Sequence, residues 1–224
     1  MGTRNRFSVP LHAGDVIAFY GSHEPSSWTI RLATGGPSHV GIVAPYERNG
    51  YDKGLALYES TTLVDRPCLE FRVRRSGVQV QDPWERLGDY DYRAVIYRLT
   101  PFWSLDEYEA DQLAGLLLYS FVLPRDGYDM ARAILSGTFV LRKWLKDWLA
   151  PDSSAFFCSE LCAAALQRFN RLNHKNPWLY TPASLCRELR AQGKVTRIPV
   201  RDDYLPWGSG FWADVHARAV SWLN

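Results

Sequence analysis

The sequence is poor in residues that build covalent or metal-bound scaffolds. It holds four cysteines (Cys68, Cys158, Cys162, Cys186) and five histidines in 224 residues. No Cys-x-x-Cys and no His-x-x-x-His pair occurs, so neither a disulfide framework nor a structural zinc site is expected. No metal and no organic cofactor enters the reading. Charge of one sign is also missing: 26 Lys and Arg face 24 Asp and Glu, a net +2. That balance gives no electrostatic basis for a nucleic-acid partner. No apolar run reaches the roughly 18 residues of a transmembrane helix. Met1–Pro10 lacks the apolar core of a secretory signal, and Arg6 stands where a myristoylation pattern wants Ser or Thr. The expected location is therefore the cytoplasm, with a specialised secretion system or phage lysis as the other routes. Internal repeats and low-complexity segments are absent.

What is present is a core. The chain is 46% hydrophobic, with 9 Trp, 12 Tyr and 10 Phe, far from a disordered composition. Its length suits one domain, taken as 1–224. The first hundred residues read mainly as strands: Val16–Tyr20, Ser38–Val43 (bounded by Pro45), Leu55–Thr61, Gly77–Gln81 and Tyr92–Leu99. A short helix, Trp28–Ala33, is expected between the first two. The next hundred read as helices. Ser104 and Glu107 form a capping box before the stripe Leu113, Leu116, Leu117, Phe121, which stops at Pro124. A second stripe (Phe139, Trp144, Leu145, Trp148) lies beside Arg142, Lys143 and Lys146, and Phe157–Phe169 is a third helix. Thr181-Pro182 caps a fourth that ends at Gly193, and Lys194–Val200 is a last strand. Strands first and helices later indicate an α+β domain.

One helix start carries chemistry. In Phe157-Cys158-Ser159-Glu160-Leu161, everything after the cysteine favours helix, so Cys158 is expected at or near the N-terminus, where free amides and the dipole favour a thiolate. Cys158 is then expected to be at least partly exposed in a cleft, while Cys162, one turn on, reads as a small core residue buried behind it. A lone cysteine in a helix start is more often packing than catalysis, and the sequence must offer a base. His39 opens a strand directly after Gly35-Gly36-Pro37-Ser38; a structural histidine is the alternative. A third group should hold the ring through its second nitrogen. Glu59 ends an otherwise apolar strand and suits that role, although a solvated edge glutamate reads equally well.

These segments appear in a telling order: Gly14-Asp15-Val16-Ile17, Ser38-His39-Val40-Gly41-Ile42-Val43, Tyr58-Glu59-Ser60, then Phe157-Cys158-Ser159-Glu160-Leu161. The pattern resembles the circularly permuted papain-like amidases, the YiiX-like branch of the NlpC-type cysteine hydrolases, with lecithin retinol acyltransferase among more distant relatives. In that branch histidine precedes cysteine, as here. The resemblance spans about Gly14 to Leu189 and includes the helix start at Thr181-Pro182. It implies an antiparallel sheet packed against the cysteine helix, with Cys158 as nucleophile, His39 as base and Glu59 as orienting residue; Ser60 and Thr61 stand close enough to replace Glu59. Asp15 reads as a turn cap. The Cys158 amide is the expected oxyanion donor and Tyr20 the second candidate, against a packed aromatic.

The expected activity is cleavage of amide bonds in a peptide or cell-wall peptide through a thioester acyl-enzyme. The alternatives are hydrolysis or transfer of a lipid acyl ester by the same fold, and a non-catalytic binding module. Residues 124–153 read as a helical insertion or lid to which the resemblance assigns no role. Within it, 139–149 could touch a membrane surface weakly, though core packing of such a stripe is commoner.

Overall fold

The computed structural model describes residues 9–20, 36–48, 52–61, 64–89, 94–123 and 154–200. Six antiparallel strands form one sheet: β1 (Val16–Phe19), β2 (His39–Arg48), β3 (Asp52–Thr61), β4 (Gly77–Gln81), β5 (Ala94–Leu99) and β6 (Val195–Pro199), in the spatial order β4-β3-β2-β1-β5-β6. The helices are α1 (Pro83–Asp89), α2 (Glu107–Leu117, prolonged by the π-helical turn Leu118–Val122), α3 (Ser154–Arg168) and α4 (Pro182–Ala191). The architecture is α+β, as the order of patterns implies. Among the described residues no helix is long and apolar enough to cross a membrane. The expected helix Trp28–Ala33, the segment 124–153 with its Trp-rich stripe, and the tail from Asp203 lie outside the described residues.

Strand alternation divides the core in two. Val16, Ala18, Val40, Ile42, Tyr58 and Tyr97 pack on one face, together with Leu113 and Leu117 of α2, Leu161 and Cys162 of α3, and Leu185 and Leu189 of α4. Ile17, Phe19, Val43, Leu57 and Ile96 point the other way, towards Leu11 and Leu87 of α1. β1 lies between β2 and β5, and all four of its residues are buried. Each such aliphatic side chain contributes about 1.5–3 kcal/mol by leaving water.

Local chemistry explains several boundaries. Thr181 caps α4: its hydroxyl accepts from the Ser184 amide at 3.1 Å, while Ser184 Oγ accepts from the Thr181 amide at 2.8 Å. The helix then closes at Gly193 with φ +65. Asp15 behaves as a turn cap, accepting the His12 amide at 2.9 Å and the Arg98 guanidinium at 2.8 Å.

Two boundaries differ from the sequence reading. The capping box of α2 is Asp106 with Glu109, two residues beyond the expected Ser104 and Glu107. Both pairs carry the required spacing, but Ser104 Oγ donates instead to the Pro101 carbonyl at 2.8 Å. β2 continues through Pro45 to Arg48. The β1–β2 ladder reaches Ile42, and Val43 still bonds Gly14 and Asp15 just before β1; from Ala44 onward β2 pairs with β3, where an edge proline is tolerated.

Candidate active site

The register places the site at one end of the sheet. Phe19 pairs with His39, and their rings stack at 5.7 Å between centroids. Gly41, two residues along β2 from His39, pairs with Glu59. A Cβ on Gly41 would come 2.7 Å from Leu57 Cδ1 and 3.1 Å from the Tyr58 carbonyl oxygen. Glycine therefore lets β2 and β3 approach closely beside the histidine.

His39 Nε2 lies 2.7 Å from Glu59 Oε2, and the Cys158 thiol is a second hydrogen-bond partner of the same imidazole. With Nε2 engaged by Glu59, Nδ1 is the nitrogen left for the sulfur. The three side chains singled out in the sequence thus meet, in the sequence thiol, imidazole, carboxylate.

A fourth residue, not foreseen, joins them. Arg86 on α1 is 1% exposed; its Nε stands 2.9 Å from Glu59 Oε1, and its Nη1 donates to Asp65 Oδ2 at 2.8 Å. Glu59 is fully buried, so its charge needs this partner. The only signal in the sequence is an arginine beside Trp84 and Leu87 in a short helix, which resembles any solvated position.

Electrostatics follow from this packing. Burial works against the Glu59 charge, yet Arg86 first and His39 next hold its carboxyl below the ordinary value. Burial would likewise lower the His39 pKa, but Cys158 and then Glu59 outweigh it and raise the group to about 9. The imidazolium is therefore the favoured form at neutral pH. Burial pushes the Cys162 thiol up, helped by neighbouring Cys158, and raises Cys186 to about 12. Both remain protonated thiols at pH 7, in keeping with the reading of Cys162 as core.

A pH dependence of stability results. A histidine whose folded pKa exceeds the unfolded value near 6.5 stabilises fully below pH 6.5, and the contribution is lost as pH rises through about 9. Glu59 acts in the opposite sense: its contribution is present above the ordinary carboxylate range and lost as pH falls below it. Thermal unfolding from pH 6 to 10 should show a decline in wild type that is smaller in His39→Asn. Parallel curves for the two proteins would contradict the assigned charge state.

Two expectations about Cys158 need correction. The thiol is 0% exposed, not open in a cleft; the solvent-facing member is His39, at 9%. Reagents reach the sulfur only after neighbouring groups move. The helix also begins at Ser154, one turn before the cysteine. The first four amides of a helix lack internal acceptors, and the Cys158 amide falls just beyond them, so it is not the preformed oxyanion donor expected. Tyr20 is buried, and its hydroxyl lies 3.1 Å from that of Tyr97. Ser60 and Thr61 are buried beside Glu59, but Glu59 makes the contact with His39. Among the described residues, no group of three or more His, Cys, Asp and Glu side chains is arranged to hold a metal ion.

No family model and no curated protein matches the chain. A solved structure does: the crystal structure of the metalloprotein YiiX from Escherichia coli O157:H7, a DUF1105 protein. It superposes with a TM-score of 0.50 at 14% identity, over 85% of this chain and 97% of that one. At that identity the likeness is one of fold.

Proposed function

We propose that the chain is a cysteine hydrolase of circularly permuted papain-like architecture that cleaves amide bonds through a thioester intermediate. The observation that carries this reading is the buried chain Cys158–His39–Glu59, with the 2.7 Å contact fixing one imidazole nitrogen and leaving the other for the thiol. The likeness of fold to the YiiX structure supports it.

The chemistry follows from the geometry. His39 holds the proton of the thiol–imidazole pair, and the Cys158 sulfur attacks the carbonyl carbon of the substrate as the thiolate. The tetrahedral intermediate collapses when imidazolium gives its proton to the leaving amine, and a thioester remains. His39 then takes a proton from water, hydroxide attacks the thioester, and the acid departs as the thiol is restored. Glu59 keeps the proton of the neutral ring on Nε2 and balances the imidazolium charge. Arg86 holds Glu59 ionised and in place. Tyr20 remains the side-chain candidate for the oxyanion.

The YiiX structure is described as a metalloprotein. Among the described residues the donor set does not fit an ion: the Glu59 carboxylate is engaged on both oxygens, by His39 and Arg86, which leaves the thiol and one imidazole nitrogen. No step is routed through a metal.

Glu59→Gln should lower turnover by roughly ten- to a thousand-fold, because a thiol system depends less on its orienting acid than the ~10⁴-fold measured in a serine triad. Unchanged turnover would pass the role to Ser60, Thr61 or a backbone carbonyl. Substrate class is tested by competition against a thiol-directed acyl probe. Peptidoglycan peptides should protect Cys158; protection by phospholipid vesicles alone would favour the acyl-ester reading, and absence of any labelling would favour a binding module.

A further inference from the structure

The chain of charges that begins at Cys158 does not stop at Arg86. Glu59 Oε1 faces Arg86 Nε at 2.9 Å, and Arg86 Nη1 donates to Asp65 Oδ2 at 2.8 Å. Exposure changes along it: the Glu59 and Arg86 side chains are buried, while that of Asp65 is 47% open to solvent. We propose that Asp65 is a positioning residue of the candidate site, which shares the Arg86 guanidinium with Glu59 and so leaves the Glu59 charge available to His39. The role deepens the hydrolase reading, on which it rests, by naming a residue that acts on the reacting pair through two others.

The connection between β3 and β4 holds Asp65 where this requires. Asp65 and Arg66 cross to α1 in two ion pairs of opposite sense, Asp65 with Arg86 and Arg66 Nη1 with Glu85 Oε2 at 2.6 Å. A slip of one residue in either segment would set Asp65 against Glu85 or Arg66 against Arg86, like charge against like. Further along, buried Cys68 pins the turn to the edge strand: the Leu69 amide donates to the Val80 carbonyl at 2.8 Å, and the Val80 amide to Cys68 Sγ at 3.4 Å. The Cys68 amide donates to the Val73 carbonyl at 2.9 Å and closes the turn. An ion pair between two exposed side chains contributes little; here one partner is buried and the other stands beside an anchored turn.

The consequence is a division of charge. A guanidinium set against one carboxylate cancels much of its field; set between two, it is shared. With Asp65 in place, Glu59 keeps negative charge to offer the imidazolium. Without it, more of the Arg86 charge bears on Glu59, which is fully buried, and the imidazolium is held less firmly. Among the described residues the other charged or titratable groups around this chain are Cys158 and Cys162 of α3, Asp82 at the start of α1, and the mutually paired Arg66 and Glu85. Gln79 of β4, opposite Glu59, and Phe19 of β1, stacked on His39, carry no charge. Asp65→Asn therefore lowers the pH at which His39 gives up its proton, whereas Arg86→Leu raises it.

The imidazole can be read without catalysis, by carbon-detected NMR on the full chain labelled in its histidines. The His39 signal is the one missing from His39→Asn. Wild type should titrate near pH 9. Asp65→Asn should titrate about 0.5–1 pH unit lower, the scale of one partly screened charge near a buried group. Asp65→Glu should recover at least half of that shift. In the Arg86→Leu background, Asp65→Asn should move the signal by less than about 0.3 unit, because its effect passes through the guanidinium. The two Asp65 variants decide the matter even where Arg86→Leu does not fold. An unchanged or raised value in Asp65→Asn, no recovery with glutamate, or the same shift with and without Arg86 would overturn the proposal. The alkaline limb of acylation should move with the NMR value. A shifted imidazole in a protein that forms no acyl-enzyme at any pH would count against the hydrolase reading and leave the positioning of His39 standing.

Discussion

Arg86→Leu is expected to destabilise the protein by about 3–5 kcal/mol, the range for removing one partner of a buried ion pair. The leucine fills part of the space but leaves Glu59, which is fully buried, with a charge that burial opposes. For a protein of this length each kcal/mol moves the melting temperature by roughly 2–4 °C. A drop of the order of 10 °C is therefore expected in thermal unfolding. Adding Glu59→Gln should recover part of it, because no buried charge then lacks a partner. Arg86→Lys should restore stability only partly, since an ammonium cannot reach Glu59 and Asp65 with separate nitrogens. A single variant as stable as wild type, with no coupling to Glu59, would remove Arg86 from the account. A purely structural arginine would leave the pH profile alone; here the alkaline fall in activity near pH 9 should shift to higher pH, because an ionised Glu59 without Arg86 acts on the imidazolium alone.

His39→Asn should reduce acyl transfer by roughly 10²–10⁴-fold, the usual contribution of a positioned general base and acid. The loss has two sources. The thiol no longer has a proton acceptor, and the leaving amine no longer has a donor. Asparagine is polar but stops short of the position of Nε2, so Glu59 retains only Arg86 as its charged partner. Steady-state turnover and single-turnover acylation should fall together, while the melting temperature at pH 6 drops less than in Arg86→Leu. Turnover within about threefold of wild type would mean that some other group activates the sulfur.

What the sequence disclosed and what it hid divide along the range of the interactions involved. The Thr181-Pro182 cap, the Gly193 stop and the strand Gly77–Gln81 were legible because each is decided by its own few residues. Nearby competition blurred others. Two overlapping boxes precede α2, and only the Ser104 contact with Pro101 shows why the second prevails. Pro45 looked like a strand end, but the β1 ladder stops before it and that part of β2 pairs with β3.

Of the site, the three side chains that meet there could be named from motif order, while their surroundings could not. Arg86 takes its meaning from Glu59 on another element and from a burial that no local pattern signals. The burial of Cys158 likewise depends on how α3 meets the sheet, so a helix-start motif suggested an exposed thiol where the fold encloses it.

The central claim is that Cys158, alone among four buried thiols, forms the acyl bond. Intact-mass spectrometry with peptide mapping after brief incubation with p-nitrophenyl acetate at pH 7 tests it directly. The account predicts one acetyl group, mapped to Cys158, absent in Cys158→Ser and strongly reduced in His39→Asn. An acetyl group on Cys162, Cys186 or Cys68, an adduct shared among them, or none at all would contradict it.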